Sequence, residues 1–160
     1  MKLPYFRLTR IGSFFYFRLP EDKAWRPTFQ ISKGKAEGYI VRLLKRQLTH
    51  QSSKLTVGEY ADRFFVWNRC PYVKRLYAEG GTVSQKDVRA FRDVVESDLI
   101  GTEFAEKLLI NVDKATLKKQ LEQARHSGRD DGLYRKVLCI ILHEAYLRVE
   151  IRHDPTDGIC

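Results

Sequence analysis

The apolar residues of this chain change their spacing once, near residue 50, and this change constrains the fold more than any other feature. Before it, alternating apolar and polar residues predict three short strands, at 5–10, 14–19 and 28–32, and then a helix at 35–48. After it, apolar residues recur every three or four positions as far as residue 149. The pattern predicts an α+β chain, in which a small three-stranded antiparallel sheet with one helix precedes an all-α bundle of four helices.

A polar segment without periodicity, at 49–54, separates the two patterns and predicts a domain boundary. We therefore expect a first domain at 1–50 and a second at 51–160. The second is long enough to hold one hydrophobic core.

Several residues mark where the predicted helices of the second domain begin. Thr56 and Glu59 have the spacing of a capping box, and Ser84 and Asp113 stand where caps of later helices are expected. Pro71 is expected to end the first of these helices. The last helix, at 130–149, carries the widest apolar stripe, so it is expected to be the buried centre of the bundle.

Period-two alternation divides the side chains of the predicted strands between two faces. The expected core face consists of Phe6, Leu8, Phe15, Phe17, Leu19, Phe29 and Ile31. The helix at 35–48 would cover that face and leave the other open to solvent. The open face would carry Tyr5, Arg7, Thr9, Phe14, Tyr16, Arg18, Thr28 and Gln30.

The positive charge of the chain is concentrated in its first third. Residues 1–54 hold twelve Lys and Arg against three acids, which accounts for the whole net charge of +9. Residues 55–160 hold seventeen of each sign. Because neutralisation of phosphates by Lys and Arg supplies most non-specific affinity for nucleic acids, the distribution favours a nucleic-acid partner for the first domain.

The cysteines and the hydropathy indicate the compartment. Cys70, Cys139 and Cys160 are widely spaced and form no CxxC pair, which is typical of free thiols in a reducing cytosol. No signal-peptide pattern follows Met1, and the longest apolar run, 137–142, is too short to cross a bilayer. We expect a soluble cytoplasmic protein with no membrane partner.

The motifs of common enzyme sites are incomplete in this sequence. His143 and Glu144 begin a zinc-binding HExxH motif, but Leu147 stands where its second histidine is required. His126 and Arg129 match a His-x-x-Arg pattern that is common by chance and lies at a helix break, where capping or phosphate contact is the more typical role. We predict no catalytic residue, no metal, no cofactor and no small-molecule substrate for this chain.

The order of elements and three stretches of sequence resemble the amino-terminal half of tyrosine recombinases of the phage-integrase family. The stretches are Leu55-Thr56-Val57-Gly58-Glu59-Tyr60, then Val95-Glu96-x-Asp98-Leu99, then Tyr134-Arg135-x-Val137-Leu138 running on to Ala145 and Asp154-Pro155. The family commonly has Asn-Pro at the end of the third stretch, so Asp154 is a departure. By this resemblance residues 3–48 are an arm-binding domain and residues 55–158 a core-binding, SAM-like domain.

The resemblance implies binding of double-stranded DNA in DNA integration and recombination by a mobile element. The family's catalytic Arg, His-x-x-Arg and Tyr residues lie in a further domain, which we expect to be missing from this chain. Tyr134 and Tyr146 are accordingly expected to be packing residues. The implied partners are the arm and core attachment sites of duplex DNA, together with other recombinase protomers.

In such integrases the sheet of the first domain lies in the major groove, and this implies the DNA contacts of the present chain. The expected sheet contacts to bases or phosphates are Arg7, Thr9, Tyr16, Arg18, Thr28 and Gln30. Lys33 and Lys35 would bind phosphates, as would Arg42, Lys45 and Arg46, although a solvated helix face explains the last three equally well. In the second domain the expected contacts are Lys86, Arg89, Arg129, Arg135 and Lys136.

Two other functions use the same residues. One is a stand-alone regulator or architectural protein that binds DNA without catalysis. The other is an RNA-binding module, although the usual double-stranded RNA module needs a helix before its strands, and residues 1–4 leave no room for one.

Overall fold

The computed structural model describes residues 2–48, 54–128 and 131–160 of the chain. Within them a small three-stranded antiparallel sheet precedes a series of helices, which confirms the predicted α+β fold. No helix of the described part has both the length and the apolar composition that crossing a bilayer requires.

The first two strands form a tight hairpin. Strand β1 is Arg7–Ile11 and strand β2 is Phe14–Arg18, and their register places Leu8 opposite Phe17. Gly12 takes a φ of 62° in the two-residue turn between them, a conformation that glycine adopts without steric penalty. The predicted hairpin is confirmed, and its strand ends lie within two residues of those expected.

The third strand differs from the prediction at 28–32. Strand β3 is Arg26–Pro27, and it pairs with β2 antiparallel to give the order β1-β2-β3. Regular pairing ends there because Phe29 has a left-handed backbone with φ of 58°. The backbone of Phe15 still bonds on both sides of Phe29, to the Thr28 N–H and to the Gln30 carbonyl.

The left-handed residue also reverses the predicted faces of this segment. Thr28, expected on the open face, is completely buried, whereas Ile31, expected in the core, is 67% exposed. The Phe29 ring packs edge-on against Phe14, at 6.3 Å between centroids, and Phe14 belongs to the other predicted face. The three assignments were wrong because strict alternation holds only while the backbone stays extended.

A helix and one distant residue complete the core of the sheet. Helix α1, Lys33–Leu48, lays Ile40 and Leu44 on Phe17, and all three are fully buried. Val149, which follows the last helix of the chain, is buried in the same cluster. We call these four residues the sheet core.

The remaining helices form a second core. They are α2 Val57–Asp62, α3 Pro71–Ala78, α4 Gln85–Val94 with a π-helical turn Val95–Leu99, α5 Glu103–Glu106, a 3-10 turn Leu109–Asn111, α6 Lys114–His126 and α7 Asp131–Leu147. The capping box of Thr56 and Glu59 is present, and Ser84 and Asp113 cap α4 and α6. Pro71 begins α3 instead of ending α2, because the first helical position needs no N–H donor.

Helix α7 is the centre of this bundle, as predicted. Its residues Val137, Leu138, Ile141, Leu142 and Ala145 are all fully buried. The tyrosines at 134 and 146 are also buried, in keeping with packing roles.

The expectation of three free thiols was wrong for two of them. Cys139 on α7 and Cys160 form a disulfide, and Cys70 is free and buried. The pairing arises because the segment after α7 turns back along the helix, where Ile159 enters the bundle core and its carbonyl accepts a hydrogen bond from Arg135. Spacing along the sequence does not show this return.

One buried arginine joins the sheet to the bundle. Arg26 is 1% exposed, and its guanidinium donates to both carboxylate oxygens of Asp22, at 2.7 and 2.6 Å. It also donates to the Tyr146 carbonyl and lies 4.0 Å from the centroid of the Tyr146 ring. An ion pair between Arg46 of α1 and Glu150, which follows α7, also links the sheet unit to the bundle.

Candidate nucleic-acid interface

Two arginines face each other across the hairpin on the side away from the sheet core. Arg7 of β1 is directly opposite Arg18 of β2, and neither forms an ion pair with a described residue. They line a cavity of about 230 Å³ with Tyr5, Leu19 and Pro20, and no acidic side chain of the described residues lines it. Like charges opposite each other on a strand pair are destabilising, so an anion bound between them would relieve a repulsion.

A tryptophan that the sequence reasoning did not single out orients one of these arginines. The Arg18 guanidinium carbon lies 5.0 Å from the centroid of the Trp25 ring. Stacking on an aromatic face restricts the guanidinium and leaves its N–H groups directed outward, which suits bidentate contacts. Trp25 follows the turn after β2, and its contact with Arg18 depends on that turn, so strand alternation alone could not identify it.

The next pair along the hairpin, Thr9 and Tyr16, shares the face of the two arginines. Tyr16 lines a cavity of about 430 Å³ between the sheet and the bundle, with Glu79 and Arg75 on its far wall. Burial raises the pKa of Tyr16, the Glu79 carboxylate raises it further, and the Arg75 guanidinium opposes them. The face is thus open at Arg7 and Arg18 but forms one wall of a cleft at Tyr16.

The structure removes Thr28 from the predicted interface. Its side chain is fully buried, and its hydroxyl donates to the Phe15 carbonyl at 2.7 Å, so it cannot reach DNA. Gln30 is half-buried, and its amide donates to the Thr28 carbonyl at 3.4 Å. The left-handed backbone at Phe29 accounts for both positions.

The predicted phosphate contacts Lys33 and Lys35 lie in the first turn of α1. Both are exposed, and the first turn of this helix contains no acid. The positive end of the helix dipole therefore adds to their charge, and the combination favours an anion.

The predicted contacts of the second domain fall into two groups. Lys86 and Arg89 are exposed on α4. Arg135 and Lys136 line a cavity of about 580 Å³ on α7, together with Arg75, and the Lys136 ammonium lies 5.2 Å from the centroid of the Phe91 ring on α4. Arg129 lies outside the described residues.

The same cavity contains a polar cluster that sequence reasoning missed. His143 Nδ1 and Asp154 Oδ2 are 2.8 Å apart, and the other carboxylate oxygen of Asp154 accepts from the backbone and the hydroxyl of Thr156. Burial alone would raise the pKa of Asp154, but the hydrogen bonds from His143 and Thr156 outweigh burial and lower it. The carboxylate is thus held in its charged form.

This cluster predicts a pH-dependent stability. A carboxylate whose pKa is lower in the folded chain stabilises it above the unfolded pKa, and this contribution is lost as the pH falls through the folded pKa. Between about pH 5 and about pH 2, the free energy of unfolding should fall more for the wild type than for Asp154→Asn. Urea denaturation at each pH measures this, with Asp157→Asn, at an exposed neighbour, as the control. Parallel curves for wild type and Asp154→Asn would contradict it.

Comparison with known protein families, characterised proteins and solved structures gives no match to this chain. The resemblance to phage-type integrases therefore rests on the order of the elements and on the stretches quoted above.

Proposed function

We propose that this chain binds double-stranded DNA through the face of the hairpin that carries Arg7 and Arg18. The observation that carries the proposal is the direct opposition of these two arginines, without an acidic neighbour among the described residues that line their cavity. A pair of like charges held by strand register is a poor arrangement for stability alone. It is a good one for an anionic partner.

The geometry of the hairpin favours the major groove. A two-stranded ribbon is narrow enough to enter that groove, where arginine reads guanine through two hydrogen bonds. The Trp25 ring restricts Arg18, so less side-chain entropy is lost on binding. The exposed lysines at 33 and 35 add two positive charges, and phosphate contacts of this kind fix position on the duplex.

The biological setting belongs to the same proposal. The sheet, helix and bundle occur in the order of the two amino-terminal domains of a site-specific tyrosine recombinase, so we assign the DNA binding to integration or recombination. In this assignment the hairpin binds arm sites. The bundle, with Lys86, Arg89, Arg135 and Lys136, lies on the core site.

Binding to duplexes in a salt series tests the function. The logarithm of the association constant should fall linearly with the logarithm of salt concentration, with a slope steeper than about −3, since each neutralised phosphate contributes about −0.9. Fluorescence anisotropy with labelled DNA measures the slope. Duplex RNA of the same sequence should bind at least about tenfold more weakly, because its major groove is too deep and narrow for the hairpin. Salt-independent affinity, or equal affinity for the two duplexes, would contradict the proposal.

A further inference from the structure

A further cavity with basic side chains, which we call the junction cavity, lies where the sheet unit meets the bundle. Its volume is about 550 Å³, and it is bounded by the end of α1, by α2 and by the segment that leads into α3. Four basic side chains line it, Arg46, Lys54, Arg63 and Arg69. Of these four, only Arg46 was named from the sequence as a candidate phosphate contact.

The two acids of this cavity are already engaged. Glu59 accepts the Thr56 N–H at 3.0 Å as part of the capping box, and Glu150 pairs with Arg46. Lys54, Arg63 and Arg69 form no ion pair with any described residue. The lining thus holds four cationic and two anionic side chains, a net charge of +2, and three of the cations form no ion pair with a described residue.

A buried hydroxyl without a partner belongs to a residue of the same lining. The Tyr60 hydroxyl is buried and makes no hydrogen bond with the described residues, although Tyr60 lines the cavity. Burial raises the pKa of Tyr60 and the Arg148 guanidinium opposes it, and the hydroxyl remains a proton donor at neutral pH. Buried polar groups almost always have partners, so this donor indicates an acceptor that the described residues do not supply.

We propose that this cavity is a phosphate-binding site, in which Arg63 and Arg69 supply the charge and the Tyr60 hydroxyl donates to a phosphate oxygen. A phosphate has several acceptor oxygens and more negative charge than a carboxylate, which matches a lining with a net charge of +2 and a hydroxyl donor. The volume exceeds that of the ion and accommodates an attached sugar. If the ligand is a backbone phosphate of duplex DNA, this proposal rests on the proposed function. If the ligand is a free phosphate ester, the proposal is independent of that function.

Thermal unfolding of the full chain, in phosphate and in chloride at equal ionic strength, tests the site. Saturating phosphate should raise the Tm by about 3 °C or more, because a ligand that binds only the folded state stabilises it. The rise should be lost in Arg63→Gln/Arg69→Gln and reduced in Tyr60→Phe, which removes one oxygen.

The matched control, Lys118→Gln/Lys119→Gln, removes the same charge from the exposed surface of α6 and should keep the rise. Absence of the rise in the wild type, or its persistence in the double arginine variant, overturns the proposal.

Duplex DNA then distinguishes the two sources of phosphate. If a backbone phosphate occupies the cavity, Arg63→Gln/Arg69→Gln should reduce the salt slope of DNA binding by about one to two units, against little change in the lysine control. If the phosphate-dependent rise in Tm is present while DNA binding is absent or unchanged, the site stands as one for a free phosphate ester. The first result supports both proposals, and the second supports the cavity alone.

Discussion

Arg26→Ala is expected to lower the free energy of unfolding by about 3–5 kcal/mol, the range for breaking a buried ion pair by removing one partner. The substitution leaves the Asp22 side chain, which is 3% exposed, with its charge uncompensated by the arginine. It also takes a donor from the Tyr146 carbonyl and a cation from the Tyr146 ring. A single side chain thus supports the turn after β2 and the contact of the sheet with α7.

Urea denaturation followed by circular dichroism measures this change. Arg10→Ala is the control, because Arg10 is an exposed arginine of the same sheet whose side chain donates to the nearby Gly12 carbonyl and forms no ion pair with a described residue. That substitution should change the free energy of unfolding by less than about 0.5 kcal/mol. Replacing both members of the pair, as Asp22→Leu/Arg26→Met, should restore part of the loss, since no buried charge is then left alone. A loss below about 1 kcal/mol for Arg26→Ala would show that the buried pair does not join the two parts.

Arg7→Glu/Arg18→Glu is expected to weaken binding to duplex DNA by about 100-fold or more at about 0.1 M salt. Two contacts are lost, and two carboxylates then repel the phosphates from the centre of the proposed interface. The salt slope should also become shallower by about two units. Anisotropy titrations over a salt series give both numbers.

A charge-matched variant separates a local contact from the total charge of the protein. Lys118→Glu/Lys119→Glu changes the net charge by the same amount, on exposed positions of α6 that the proposed interface does not include. It should reduce the affinity by only a few-fold. If the two variants lose affinity equally, the hairpin is not the binding surface and the effect reports net charge.

Much of the fold follows from local sequence patterns. The hairpin was predictable because Gly12 and Ser13 form a turn between alternating strands, and the same turn sets the register that opposes Arg7 to Arg18. The caps at Thr56, Ser84 and Asp113 were predictable because each depends on residues three positions apart.

Other features depend on contacts between distant residues or on rare backbone conformations. Phenylalanine has no preference for a left-handed backbone, so nothing in the sequence at Phe29 indicated that the third strand would end early. Arg26 and Tyr146 are 120 positions apart, and their contact exists only once the sheet lies against α7. The disulfide of Cys139 and Cys160 and the lining of the junction cavity also depend on contacts between residues that are far apart in the sequence.

The position of Val149 in the sheet core has a consequence for the synthesis of the chain. Domains at the amino-terminal end of a protein commonly fold first, while the ribosome is still adding residues. Here Phe17, Ile40 and Leu44 are made early, but the residue that completes their cluster comes after α7. The nascent sheet must therefore keep an apolar surface uncovered until residue 149 has left the ribosome, and over that interval it is open to capture by chaperones.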